Sequence, residues 1–211
     1  MKTPIFMDHH STTPVDPRVL EAMMPFFTEQ FGNAASRNHS FGRNAAQAVD
    51  QARGQIAHLV HCDPKEIILT SGATESDNIA LKGVAEAYRD KGNHIITAVT
   101  EHKAILEPAQ RLEKQGMRVT YLPIHSDGLV DPGSVLAAIT DQTILISIMI
   151  ANNEIGVIHP VAQIGQIARE KGILFHTDAA QAAGKIAIDV NAMGIDLMSL
   201  SAHKMYGPKG V

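Results

Sequence analysis

The stretch Asp196-Leu-Met-Ser-Leu-Ser-Ala-His-Lys-Met-Tyr-Gly-Pro-Lys-Gly210 decides the fold. An apolar run of strand type ends in Ser201, Ala202, His203 and Lys204, and a Gly207-Pro208 turn follows. A lysine is thereby presented at the carboxyl end of a buried strand, the edge at which open α/β sheets keep their chemistry. Upstream, Gly172-Ile-Leu-Phe-His-Thr-Asp-Ala-Ala-Gln181 repeats the pattern. A second apolar run ends in Asp178, and Gln181 lies three residues further on.

Working outward from these two strand ends, apolar runs and helical periodicities alternate. Strands are expected at residues 66–70, 94–99, 118–122, 143–150, 173–177 and 196–201, and helices between them at 79–89, 104–115, 131–138 and 161–171. Two helices precede this series, at 16–31, opened by Asp16-Pro17, and at 43–60, with Ala45, Val49, Ala52, Ile56 and Leu59 on one face. The alternation predicts an α/β fold: a mostly parallel, mixed sheet with helices on both faces. Residues 1–15 read as an extended lead.

Lys204 and Asp178 together define a chemistry. A lysine for a Schiff base and an acid for a pyridinium nitrogen are the two groups that pyridoxal phosphate enzymes need from the protein. An ionised aspartate keeps the pyridine ring protonated, and the protonated ring draws off the electrons left on the substrate's α-carbon. The lysine holds the aldehyde and shuttles protons. Standing alone, Asp178 would be read first as a strand-end turn residue or a helix N-cap.

A third element supplies an anion site. Ser71-Gly-Ala-Thr-Glu-Ser-Asp-Asn78 follows one strand and opens the next helix. Backbone N–H groups at such a start, with the Thr74 hydroxyl, make a cradle for phosphate. The competing reading is an ordinary capping box. His102, after the run 95–99, is placed to stack on a flat ring. Asn153, after the run 144–150, is placed to donate a hydrogen bond to a ring oxygen.

The motifs Ser71–Asn78, Thr100-Glu-His-Lys103, Asn152-Asn-Glu-Ile-Gly156, Asp178-Ala-Ala-Gln181 and Ser201–Gly210 make the chain similar to the cysteine desulfurases of the class V aminotransferase group. It most resembles the desulfurases of iron–sulfur cluster assembly and nitrogen fixation, from Met7-Asp-His-His-Ser-Thr-Thr-Pro14 to the last residue. The resemblance implies the large domain of pyridoxal phosphate fold type I over residues 16–211, with residues 1–15 belonging to a small domain and the C-terminal part missing. It implies Lys204 and His102 as catalytic residues, with Lys204 carrying pyridoxal 5'-phosphate, Asp178 partnering its ring nitrogen and His102 stacking on the ring. Asn153 and Gln181 would touch the ring oxygen, and Ala73, Thr74, Ser201 and His203 would hold the phosphate.

The same resemblance implies L-cysteine as substrate, alanine and a persulfide as products, a homodimer, and an iron–sulfur scaffold or other protein as sulfur acceptor. Two departures stand out. Ala34, in the loop Gly32–Gly42, occupies a position where the family uses proline, which should loosen one turn. The family's acceptor cysteine and substrate-carboxylate arginine lie beyond the lysine and have no counterpart up to Val211, and the single cysteine, Cys62, matches no catalytic position. Other class V activities, namely selenocysteine lyase, cysteine sulfinate desulfinase or aminotransferase, therefore stay open, as does a non-catalytic cofactor-binding scaffold.

Composition fits a cytoplasmic enzyme. A chain of 211 residues with 45% hydrophobic content buries a substantial core, and its apolar runs are too short to cross a bilayer. One cysteine makes no internal disulfide and fits a reducing compartment. A formal net charge of −4, with its basic residues scattered, argues against a nucleic-acid surface. No secretory leader is read at the N-terminus. His58, His61 and Cys62 sit at ligand-like spacing but offer no fourth ligand, so no metal site is expected there.

Overall fold

A computed structural model describes residues 4–211; the first three residues of the expected 1–15 segment lie outside the described part. Five parallel strands form one sheet in the order β2-β1-β3-β4-β5. The strands are β1 His94–Ala98, β2 Arg118–Leu122, β3 Thr143–Ser147, β4 Leu174–Asp178 and β5 Leu197–Ser199. The helices are α1 Pro17–Thr28, α2 Ser40–Val60, α3 Ala73–Ala87, α4 Lys103–Glu113, α5 Pro132–Ala138 and α6 Val161–Lys171. No helix among the described residues is long and apolar enough to cross a membrane.

Side chains alternate across each strand, and this builds two cores. Ile95 and Leu145 meet Leu81 and Val84 of α3 and Ile105 and Leu112 of α4 on one face. Ile96, Ile146 and Phe175 meet Val135 of α5 and Ile164 and Ala168 of α6 on the other. Because both faces are covered, β1 and β3 are buried at every residue, which is why they read as unbroken apolar runs. The helices lie on both faces, as expected; all the strand pairings are parallel, and an isolated antiparallel bridge joins Ala151 to Ile158.

Several boundaries differ from the sequence reading. Residues 66–70 form no strand: Pro64–Glu66 close a 3-10 turn, in which Glu66 Oε2 accepts the Asp63 N–H at 2.8 Å and Asp63 Oδ1 accepts that of Lys65 at 2.8 Å. The Ile67 carbonyl is taken by Arg53 Nε at 3.2 Å, and Ile68 is left 74% exposed. Helix α3 starts at Ala73, six residues before the expected start, because Gly72 turns the chain at φ 132°, ψ 176° and the polar first turns are helical. β3 stops at Ser147, where the Met149 N–H leaves the ladder for Glu101 Oε1 at 2.7 Å. Helix α2 also begins earlier than residue 43, at Ser40, capped by His39 Nδ1, which accepts the Gly42 N–H at 3.1 Å.

The topology places a crevice. β1 leads to β2 on one side while β3 lies on the other, so the chain's direction switches between β1 and β3, the position at which open α/β sheets bind ligands beyond their carboxyl ends. The N-terminal lead closes over that edge: the Thr13 N–H donates to the His203 carbonyl at 2.8 Å, and Gln181 Nε2 donates to the His10 carbonyl at 2.7 Å.

Candidate functional site

A cavity of about 470 Å³ opens at the carboxyl edge of the sheet. Ala73, Thr74, His102, Asn153, Asp178, Gln181, Ser201, His203 and Lys204 all line it. The sequence reading therefore assembled residues from five separate segments that the fold brings to one place. Its size falls within the range of small-molecule and cofactor sites.

At one end lies the start of α3. Gly72 caps the helix without a side-chain hydrogen bond, and the Ala73 and Thr74 N–H groups have no partner among the described residues. Glu75 folds back instead, Oε2 accepting from the Ser71 N–H at 2.6 Å and from Ser71 Oγ at 2.8 Å. The competing capping-box reading is thus not what the first turn does. Two free amides at the positive end of a helix dipole, beside Thr74, favour an anion there. Ser201, almost fully buried, lies beside Gly72, and His203 lines the same cavity; His203 Nδ1 sits 3.1 Å from Thr12 Oγ1, and burial, then Lys204 and Lys209, push its imidazole down.

Asp178 closes β4 and forms the floor. It is 5% exposed; Oδ1 accepts the Ala180 N–H at 2.8 Å, and Oδ2 has no partner in the described chain. Burial pushes its carboxyl up, while the Ala180 N–H, His102 and Lys204 pull it back toward the charged form. Lys204 ends the short 3-10 turn Ala202–Lys204 and makes no ion pair among the described residues, so its amine is free at the cavity wall.

His102 is the N-cap of α4, and its Nδ1 accepts the Ala104 N–H at 3.1 Å, which holds the ring in place at the cavity mouth. Of the adjacent asparagines, Asn152 is structural: buried, its Oδ1 accepts from the Glu154 and Ile155 N–H groups, and its Nδ2 donates to the Thr100 carbonyl at 2.9 Å. Asn153 is the one that reaches the cavity, with Nδ2 donating to Glu154 Oε1 at 2.9 Å. Gln181 reaches it too, its Oε1 accepting from Lys185 Nζ at 3.3 Å.

The sequence reading missed several neighbours. Ser11, Met149 and Lys209 also line the cavity. Glu101, one residue before His102, is buried; burial pushes its carboxyl well above the usual range, and Asp178 and Asp77 add to the push. Nothing in the run Thr100-Glu-His-Lys103 separates Glu101 from a surface acid; only its hydrogen bond to Met149 does. Cys62 is half-buried and lines a different cavity, of about 530 Å³, beyond β5.

Residues 5–211 match the aminotransferase class-V family. The chain is 59% identical over 211 residues to cysteine desulfurase IscS of Anaeromyxobacter dehalogenans strain 2CP-C, covering all of this chain and 52% of that protein. It is 58% identical over 208 residues to cysteine desulfurase IscS of Rickettsia africae strain ESF-5, covering 99% of this chain and 51% of that one. Among solved structures, SspA in complex with cysteine superposes with a TM-score of 0.94 at 44% identity, over 97% of this chain and 59% of that one. The chain spans about half the length of the curated relatives it matches.

Proposed function

The chain belongs to the aminotransferase class-V family, and from that premise we propose that it carries the cofactor site of a pyridoxal 5'-phosphate-dependent cysteine desulfurase, which converts L-cysteine to L-alanine and passes persulfide sulfur toward iron–sulfur cluster assembly. The observation that supports this most is the convergence, in one cavity of about 470 Å³, of Lys204, Asp178 and the α3 amides. Relatives of 58–59% identity bearing the desulfurase name support it further.

The residues present fit the cofactor. Two unpaired amides and the Thr74 hydroxyl at a helix start suit its phosphate, the unpartnered Oδ2 of Asp178 suits its ring nitrogen, and the unpaired amine of Lys204 suits its aldehyde. Bound there, pyridoxal phosphate supplies the electron sink for bonds at the substrate's α-carbon. The chain does the rest. Asp178 keeps a negative charge at the cavity floor, His102 presents a held ring for stacking, and Asn153 and Gln181 bring amide groups to the side. Lys204 Nζ has no competing acid partner, so it is free to take up and return a proton. The wider reading is a cytoplasmic homodimer that delivers sulfur to scaffold proteins, with residues 1–15 belonging to a smaller domain beside the 16–211 cofactor domain.

Borohydride treatment of the purified protein with pyridoxal phosphate, followed by peptide mass spectrometry, tests the assignment. The expected label sits on Lys204, and in the full-length protein Lys204→Ala releases neither sulfide nor alanine from cysteine, a turnover that residues 1–211 alone are not expected to carry out. Asp178→Asn should lose about 10²-fold or more of the rate while still binding some cofactor, a loss of the size that misplaced proton handling brings. A label on another lysine, or near-normal sulfide release by Lys204→Ala, would refute it.

A further inference from the structure

Behind Asp178 lies a polar cluster for which the reaction gives no role. His176 and Asp178 are two apart on β4 and share the sheet face covered by α3. His176 is fully buried; its Nδ1 lies 2.9 Å from Ser147 Oγ on β3 and its Nε2 3.1 Å from Ser199 Oγ on β5. Asp77 enters the same space from α3, with 0% exposure and both carboxylate oxygens without a hydrogen-bond partner among the described residues. Its Oδ1 is 3.6 Å from His176 Nε2, too long for a hydrogen bond.

We propose that Asp77 is a positioning residue: it sits as a neutral acid behind Asp178, so that the buried negative charge of this cluster is carried by Asp178, on the cavity side. The inference rests on the reading of the cavity as a pyridoxal phosphate site.

The groups that face Asp77 carry the argument. From β4 come His176 and Asp178, from β5 the Ser199 hydroxyl, and from the turn into α4 the buried Glu101, whose Oε2 is also unpartnered. The ionisable groups of α4 itself, Lys103, Glu107, Arg111 and Glu113, are exposed. Among the described residues, therefore, no cation is buried with Asp77. The His176 ring is already satisfied by two hydroxyls, and burial pushes its imidazole down to about 3, so it supplies no charge. Three carboxyls buried together cannot all ionise, since an isolated buried charge neutralises instead. Asp178 alone has Lys204 and His102 pulling it toward the charged form. Asp77 has only burial and the Asp178 charge acting on it, with a minor opposing contribution from Ser199, and is pushed up to about 8.

The pH dependence follows. An acid held at about 8 in the native state, against an ordinary unfolded value of about 3.9, keeps its proton when folded and has lost it when unfolded across that window. Unfolding then releases a proton, and this residue makes stability fall as pH rises from about 4 to about 8. Asp77→Asn mimics the neutral acid and removes that slope.

Two measurements on the full-length protein loaded with pyridoxal phosphate test this, each repeated after the cofactor is stripped. Carbon-13 labelling of aspartate γ-carboxyls should show one resonance titrating between about pH 7 and 9 that Asp77→Asn removes; it needs no variant to be seen in the wild type. Thermal melts should show Asp77→Asn gaining on wild type steadily from about pH 5 to about pH 8, while cofactor affinity stays within about threefold. An Asp77 resonance titrating below about pH 5, or parallel melting profiles, would overturn the proposal. Failure to take up cofactor at Lys204 overturns the functional reading separately, because the titration of the stripped protein judges Asp77 without it.

Discussion

Cys62 bears the chain's single thiol, and its setting argues against a part in sulfur chemistry. It lines the groove beyond β5, not the cavity of Lys204, and burial, with Glu66 and Asp63 beside it, pushes its thiol up. The thiolate is the nucleophile, so a raised thiol is a slow one. Cys62→Ser should leave pyridoxal phosphate binding unchanged and sulfide release within about twofold, with alkylation of Cys62 slower than that of a free thiol. A tenfold or greater loss of sulfide release would give Cys62 a catalytic part. At this scale the site was largely legible: Asp178, His102, Asn153 and Lys204 each follow an apolar run, and strand ends converge on one edge. Asp77, Glu101 and His176 were not, because an acid or imidazole is written the same way whether it faces water or a core. Only the packing of α3 on β4 and β5 turns Asp77 inward.

At the level of elements, the entry to α3 sets the anion site, and Gly72 sets the entry. Its backbone, at φ 132°, ψ 176°, occupies a region that only glycine adopts without strain. A Cβ there would meet nothing nearer than Ser201 Oγ at 3.9 Å, so the objection to a side chain is conformational and not steric. Gly72→Ala should therefore cost about 1–3 kcal/mol of stability, and it should weaken pyridoxal phosphate binding more than it slows any step after binding, because the Ala73 and Thr74 amides move with the turn. Denaturant unfolding and a cofactor titration read the two effects; unchanged affinity in a destabilised variant would detach the amides from the phosphate. The helix itself was half visible in the sequence. Its apolar face from residue 79 onward has helical period, but Thr74–Asn78 are polar and look like a loop. Residues 66–70 failed in the opposite way: their composition is that of a strand, yet strand formation needs a partner, and Arg53 takes the Ile67 carbonyl instead.

For the whole molecule, the apolar surface asks for a partner. Helix α1 has no buried residue, although Leu20, Met24 and Phe27 recur at helical spacing along one stripe, and Phe31 follows just beyond the helix end. Phe27 is 66% exposed and Phe31 68%, and the Phe31 and Phe41 rings lie 6.1 Å apart on the same surface. A monomer rarely leaves so continuous a patch in water, and a two-fold dimer buries such a stripe against its own copy. The full-length protein should sediment as a homodimer, and Phe27→Asp combined with Phe31→Asp should shift it toward monomer by placing charge at the centre of the contact. Ile68→Asp is the matched control: Ile68 is 74% exposed but lines the groove beyond β5, so the dimer should survive that change. Dissociation by Ile68→Asp with no effect of the phenylalanine pair would move the contact to the sheet edge, and a wild-type protein that sediments as a monomer with full cysteine turnover would remove the dimer from the mechanism.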